Sequence, residues 1–151
     1  MSQESNTEFR SNQYTPSIVE IKEMMKRGIS LDLYIQRKRH GWNENDAQKT
    51  KPRRKEGYEN YKQFSDFELE HLMKNYITYM DYKNRRSLGW TREEAIFIPK
   101  GIKRHKFLKH ELYPVTRQEF ISIYKNNSTL DTYRTRRALG WDKESAINTP
   151  K

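Results

Sequence analysis

Nine of the thirty Lys and Arg residues fall in three short clusters: Arg37, Lys38 and Arg39; Lys83, Arg85 and Arg86; Arg134, Arg136 and Arg137. A guanidinium can grip a phosphate or pair with both acceptors on the guanine edge, whereas an ammonium acts as a mobile point charge. The chemistry implied is recognition of a polyanion, with phosphate contacts giving affinity and base contacts giving choice of sequence. The intervening basic stretches add Arg53, Arg54, Lys103 and Arg104, which suit phosphate contacts or insertion into a minor groove. The internal alternative for Arg37, Arg85 and Arg136 is a salt bridge or a cap on helix carbonyls.

No comparable signal points to catalysis. The chain has no cysteine, and His40, His71, His105 and His110 share no common spacing with one another or with carboxylates. That pattern offers no metal cage, and there is no nucleotide-binding glycine loop or nucleophile elbow. The expectation is a protein without a catalytic site, metal or cofactor.

The cationic clusters occupy fixed places in a repeat. Gly-Trp recurs at Gly41-Trp42, Gly89-Trp90 and Gly140-Trp141, at spacings of 48 and 51 residues, and these are all the tryptophans present. Eight residues before each Trp stands Tyr34, Tyr82 or Tyr133; five before stands Arg37, Arg85 or Arg136; four before stands Lys38, Arg86 or Arg137. Five residues after it comes Ala47, Ala95 or Ala146, and then Pro52, Pro99 or Pro150. Trp42, Trp90 and Trp141, with the three tyrosines, are expected to pack against the helices, base stacking being the alternative for the rings.

Each copy punctuates itself as helices. Ser30, Thr78 and Thr129 can cap a helix whose first turn carries Asp32, Asp81 or Asp131. Gly41, Gly89 and Gly140 then suit a left-handed helix end, and Asn43, Thr91 and Asp142 can start a second, very short helix. An earlier helix is signalled by Thr15 with Pro16, Ser65 with Glu68, and Thr116 with Glu119. Between the first two helices, Gly28, Asn75 and Asn127 are the residues expected to reverse the chain. Aromatic-rich segments ahead of the first helices, Phe9 to Tyr14, Tyr58 to Phe64 and Phe107 to Tyr113, are expected to pair as short hairpins.

The string from the capping hydroxyl through Tyr, Arg, Gly-Trp, the acidic short helix, Ala and Pro resembles small helix-turn-helix repeats of bacteriophage and mobile-element proteins. Such repeats are sometimes attached to HNH homing-type nucleases. The resemblance covers nearly the whole chain and implies DNA recognition through the second helix of each copy. The expected fold is therefore mainly α, with three tandem helix-turn-helix-like modules at 1–52, 53–100 and 101–151, joined by basic linkers.

Composition agrees with several small cores. Of 151 residues only 33% are hydrophobic and 33% are charged, while 13% are aromatic and can bury much area from few positions. The net charge of +10 calls for an acidic partner. Duplex DNA is the leading expectation. The rivals are RNA and a host nucleic-acid-processing protein, such as a nuclease or CRISPR effector, that a phage-type inhibitor would occupy. The N-terminus lacks an apolar signal region and no segment has the ~20 apolar residues that span a bilayer, so a cytoplasmic setting without membrane contact is expected.

Overall fold

The computed structural model describes residues 14–53, 58–102 and 112–151, and among these the chain is helical, with no strand. The same order of two nine-residue helices and one six-residue helix occurs three times. The first set is α1 (Ile18–Lys26), α2 (Leu31–Arg39) and α3 (Glu44–Lys49). The second is α4 (Asp66–Lys74), α5 (Tyr79–Ser87) and α6 (Arg92–Phe97). The third is α7 (Arg117–Lys125), α8 (Leu130–Ala138) and α9 (Lys143–Asn148).

Side-chain caps fix these starts. Ser65, Thr91 and Thr116 each form a reciprocal capping box with the glutamate three residues on, satisfying two backbone donors that a bare helix end would leave open. The hydroxyls of Ser30 and Thr129, the Asn43 amide and the Asp142 carboxylate accept from backbone N–H groups of their own helices. Thr78 and Asp81 exchange bonds of 3.1 and 3.0 Å in the same way. The start of α1 corrects the expectation of Thr15 and Pro16: the cap is Ser17, because Glu20 accepts from its N–H at 3.0 Å and completes the box.

The reversal between first and second helices lies fourteen residues before each Trp, at Gly28, Tyr76 and Asn127, with φ of 81°, 53° and 60°. The middle copy therefore places Tyr76, not Asn75, in the left-handed region. Asn75 sits one position earlier as the helix cap, with φ of −96°. In all three copies the next amide closes back on the helix: Ile29 to the Met24 carbonyl at 2.8 Å, Ile77 to Leu72 at 2.9 Å and Ser128 to Ile123 at 3.0 Å.

The expected hairpins are not found where the structure can be read. Tyr58–Tyr61 is a 3-10 turn. With no partner strand for this stretch, the tight turn instead brings Tyr61 and Phe64 together at 6.0 Å between ring centres, and both are buried. Apart from Tyr14, Leu112 and Tyr113, the other two aromatic segments lie outside the described residues.

Two compact units divide the chain, Met1–Asn84 and Arg85–Lys151. The cut runs through α5 and not through the basic stretches near residues 53 and 101. The reason is visible in each unit. In the first, α4 packs on α1, with Lys22 and Asp66 paired at 2.9 Å. The Asp32 carboxylate of α2 also accepts from the Tyr61 hydroxyl and, at 3.0 Å, from the Tyr79 N–H. In the second unit α6 packs on α7, where buried Glu94 meets Arg117 at 3.3 Å and Glu93 meets Lys125 at 3.1 Å. Its core joins Ile98 to Val115, Phe120, Ile123, Tyr124, Tyr133, Ala146 and Ile147. The middle copy thus shares one part with each neighbour, which is how a chain so poor in apolar residues builds enclosed cores.

Several carboxylates are held in their charged form by this capping. Partial burial works to raise Glu20, but bonds from Tyr14, the Ser17 N–H and Gln48 outweigh it and leave its pKa below the usual value. Glu119 is lowered in the same sense by Thr116 and Lys143 against partial burial, and Asp142 by its bonds from Ser145. Groups with depressed folded-state pKa values add stability above their unfolded values and lose it as pH falls through the folded ones. The expected result is an unfolding midpoint that is level from neutrality down to about pH 5 and then declines steeply towards pH 3. A series of thermal melts monitored by circular dichroism checks it, and a midpoint rising on acidification would contradict it.

Candidate nucleic-acid interface

The repeated Arg five residues before Trp is the centre of a clasp. One turn of helix separates it from the left-handed glycine, at φ of 88° for Gly41, 92° for Gly89 and 97° for Gly140, and that glycine turns the indole back over the guanidinium. The Trp N–H bonds to the carbonyl of that same Arg at 3.0 Å in every copy. The guanidinium carbon stands 4.5 Å from the ring centre in Arg37–Trp42 and Arg85–Trp90, and 4.8 Å in Arg136–Trp141. Beyond the ring each Arg donates to the carbonyls ending the short helix. Arg37 reaches Ala47 at 3.1 Å. Arg85 reaches Ala95 at 2.9 Å, Ile98 at 2.6 Å and Pro99 at 3.2 Å. Arg136 reaches Ala146 at 3.2 Å, Thr149, and Pro150 at 2.8 Å.

This arrangement neutralises open carbonyls at a helix C-terminus with a cation, and it stacks that cation on an aromatic face. Arg37 is only 6% exposed, and burial pushes its pKa down from the usual guanidinium value. Arg37, Arg85 and Arg136 are thus engaged internally, in the carbonyl-capping role weighed as the alternative for them.

The neighbouring position is also engaged. Lys38 meets Glu44 at 3.3 Å, and the same carboxylate accepts from the buried Tyr34 hydroxyl at 2.7 and 2.9 Å. Burial, followed by the bond to Glu44, pushes the Tyr34 phenol far above its usual value, so it stays a donor. Arg86 donates to the Trp90 carbonyl at 2.9 Å and Arg137 to the Trp141 carbonyl at 2.8 Å. Arg137 also lies 5.5 Å over the Tyr113 ring. Tyr82 is buried against Phe64, edge to face at 5.1 Å, and Tyr133 is enclosed in the core of the second unit. Trp42 and Trp141 are each 38% exposed, while Trp90 is half-buried.

Of the clustered cations, Arg39 and Lys83 are exposed and Arg134 is half-buried. Lys83 leans over Tyr79 at 5.8 Å. Arg53 is exposed, whereas Arg54, Lys103 and Arg104 lie outside the described residues. Of the histidines, His40 is exposed, His71 is buried against Phe67, and His105 and His110 fall outside.

The residues that sequence reasoning passed over stand six before each Trp: Gln36, Asn84 and Thr135. All three are exposed, and none is hydrogen-bonded through its side chain to another described residue. One step along a helix turns a side chain by about 100°. The clasp position therefore faces inward while its predecessor faces out. Their signal was their polarity at one register in all three copies, combined with a different side chain in each. Two positions short of the Trp, His40, Leu88 and Leu139 are also open, the leucines being 76% and 75% exposed.

No protein-family model matches the chain, and neither characterised proteins nor solved structures yield a match. Among the described residues there is no group of three His, Cys, Asp or Glu able to hold a metal ion, and no helix is long and apolar enough to cross a membrane.

Proposed function

We propose that this chain binds duplex DNA through the outer faces of α2, α5 and α8 and acts by occupying its site, without catalysis. The setting is the cytoplasm of a bacterial or phage-infected cell, in keeping with the resemblance to reading modules of phage and mobile-element proteins. The observation that carries the reading is what remains after the clasps are set aside. Each second helix still carries a cation off the clasp, Arg39, Lys83 or Arg134, close to an unengaged hydrogen-bonding side chain, on a chain of net charge +10. Several weak contacts on one chain combine into useful affinity when they engage together.

The test is fluorescence anisotropy of the full chain with labelled random duplex and with RNA across a salt series. Micromolar or tighter duplex binding is expected, with log affinity falling by about 0.9 per phosphate neutralised for each tenfold rise in salt, hence a slope of about −3 or steeper. Absence of duplex binding at low salt overturns the reading. Preference for RNA moves it to shape and phosphate recognition. One observation favours a second reading, an inhibitor or adaptor seated on a host nucleic-acid-processing protein: the open leucines Leu88 and Leu139 are large apolar contacts at one register.

A further inference from the structure

We infer that base choice resides in the variable outward position six before each Trp, so that the three copies read different bases while sharing one clasp. The inference rests on the proposed duplex binding and deepens it. Positions ten, six and three before Trp are spaced i, i+4 and i+7, which places them on one helical stripe. In the first copy Asp32 is taken up by Tyr61 and Tyr79, leaving Gln36 and Arg39 as the open members. In the middle copy the open members are Met80, Asn84 and Ser87, with Lys83 beside them. In the third they are Asp131, Thr135 and Ala138, with Arg134 beside them.

These side chains match base edges by type. A Gln or Asn amide carries one donor and one acceptor on a planar group and pairs with N6 and N7 of adenine. An Arg spans O6 and N7 of guanine, and Thr and Ala methyl groups meet the thymine methyl. The first copy is thereby assigned to adenine next to guanine, the middle copy to adenine, and the third to thymine. The adjacent Lys83 and Arg134 supply the phosphate contacts that seat the helix without choosing a sequence. A clasp that sets Arg37, Arg85 and Arg136 against Trp and the carbonyl of the repeated Ala in every copy carries no such distinction. That separation lets the scaffold stay constant while the readout changes.

The experiment is selection of a preferred site from a random duplex library with the full chain, then repetition with Gln36→Arg and Asn84→Arg. The wild type is expected to enrich a site holding adenine at separate positions. Each variant should change one of them to guanine, with about a tenfold shift in relative affinity at that base pair. Because both side chains are exposed and unengaged, melting of the variants should match the wild type. A selected site that neither variant alters overturns this inference and leaves duplex binding standing. Duplex binding without any enriched sequence does the same. Failure of the wild type to bind duplex at all overturns the proposed function itself, along with this inference.

Discussion

Arg85→Ala is expected to lower the free energy of unfolding by about 3 kcal/mol, combining lost charge-assisted hydrogen bonds with a lost cation–π contact. Without the guanidinium, the carbonyls of Ala95, Ile98 and Pro99 lose a shared donor within 3.2 Å, and Trp90 loses the group stacked 4.5 Å from its centre. The end of α6 then loses the guanidinium that answers its partial negative charge. Arg85→Lys keeps the charge but not the planar fork that reaches three acceptors and lies flat on an indole, so it should recover less than half of the loss. Urea unfolding followed by tryptophan fluorescence measures both variants. A change below about 0.5 kcal/mol for Arg85→Ala, the range of an ordinary surface substitution, would remove the clasp from the account of stability.

The second large effect concerns binding. A triple Arg39→Ala, Lys83→Ala and Arg134→Ala variant is expected to bind random duplex on the order of 100-fold more weakly at low salt, with a salt slope shallower by about 2 units from the lost phosphate contacts of Lys83 and Arg134. None of the three replaces a clasp residue, so the helical signal and melting should stay close to wild type. The matching triple change at Arg37, Arg85 and Arg136 is expected to unfold the chain. Affinity retained by the folded Arg39, Lys83 and Arg134 variant would show that the outer faces of these helices are not where a polyanion binds.

The contrast between the two arginine sets shows where reading the sequence succeeds and where it stops. Caps are local: Ser65 and Glu68 are three residues apart, and their chemistry determines that geometry wherever they occur before a helix. The left-handed glycines before each Trp were legible for the same reason. The start of α1 is not legible although Ser17 and Glu20 obey that same rule, because Thr15 with Pro16 offers a competing start two residues earlier. Tyr76 was hidden behind Asn75, which has the better intrinsic tolerance of positive φ, although counting back from Trp90 places Tyr76 opposite Gly28 and Asn127. The arginines were a harder case. Their partners are backbone carbonyls ten to fourteen residues away, and backbone carbonyls leave no mark in composition. A cluster of positive charge looks the same whether it faces a phosphate or a helix end.

The reach of the contacts also orders events during synthesis. Each clasp closes a span of five residues at the indole and ten to fourteen at the carbonyls, whereas Asp32 meets the Tyr79 amide across 47 positions. Short loops cost less entropy to close and do so within about 10–100 ns, far faster than a ribosome adds a residue. Once Ala47 has emerged, the first Arg–Trp clasp has every atom it needs. The Asp32 carboxylate waits for about thirty further residues before Tyr61 and Tyr79 arrive to cover it. The clasps are thus the contacts that can close first, and the bonds of Asp32 to Tyr61 and Tyr79 are among those that must follow.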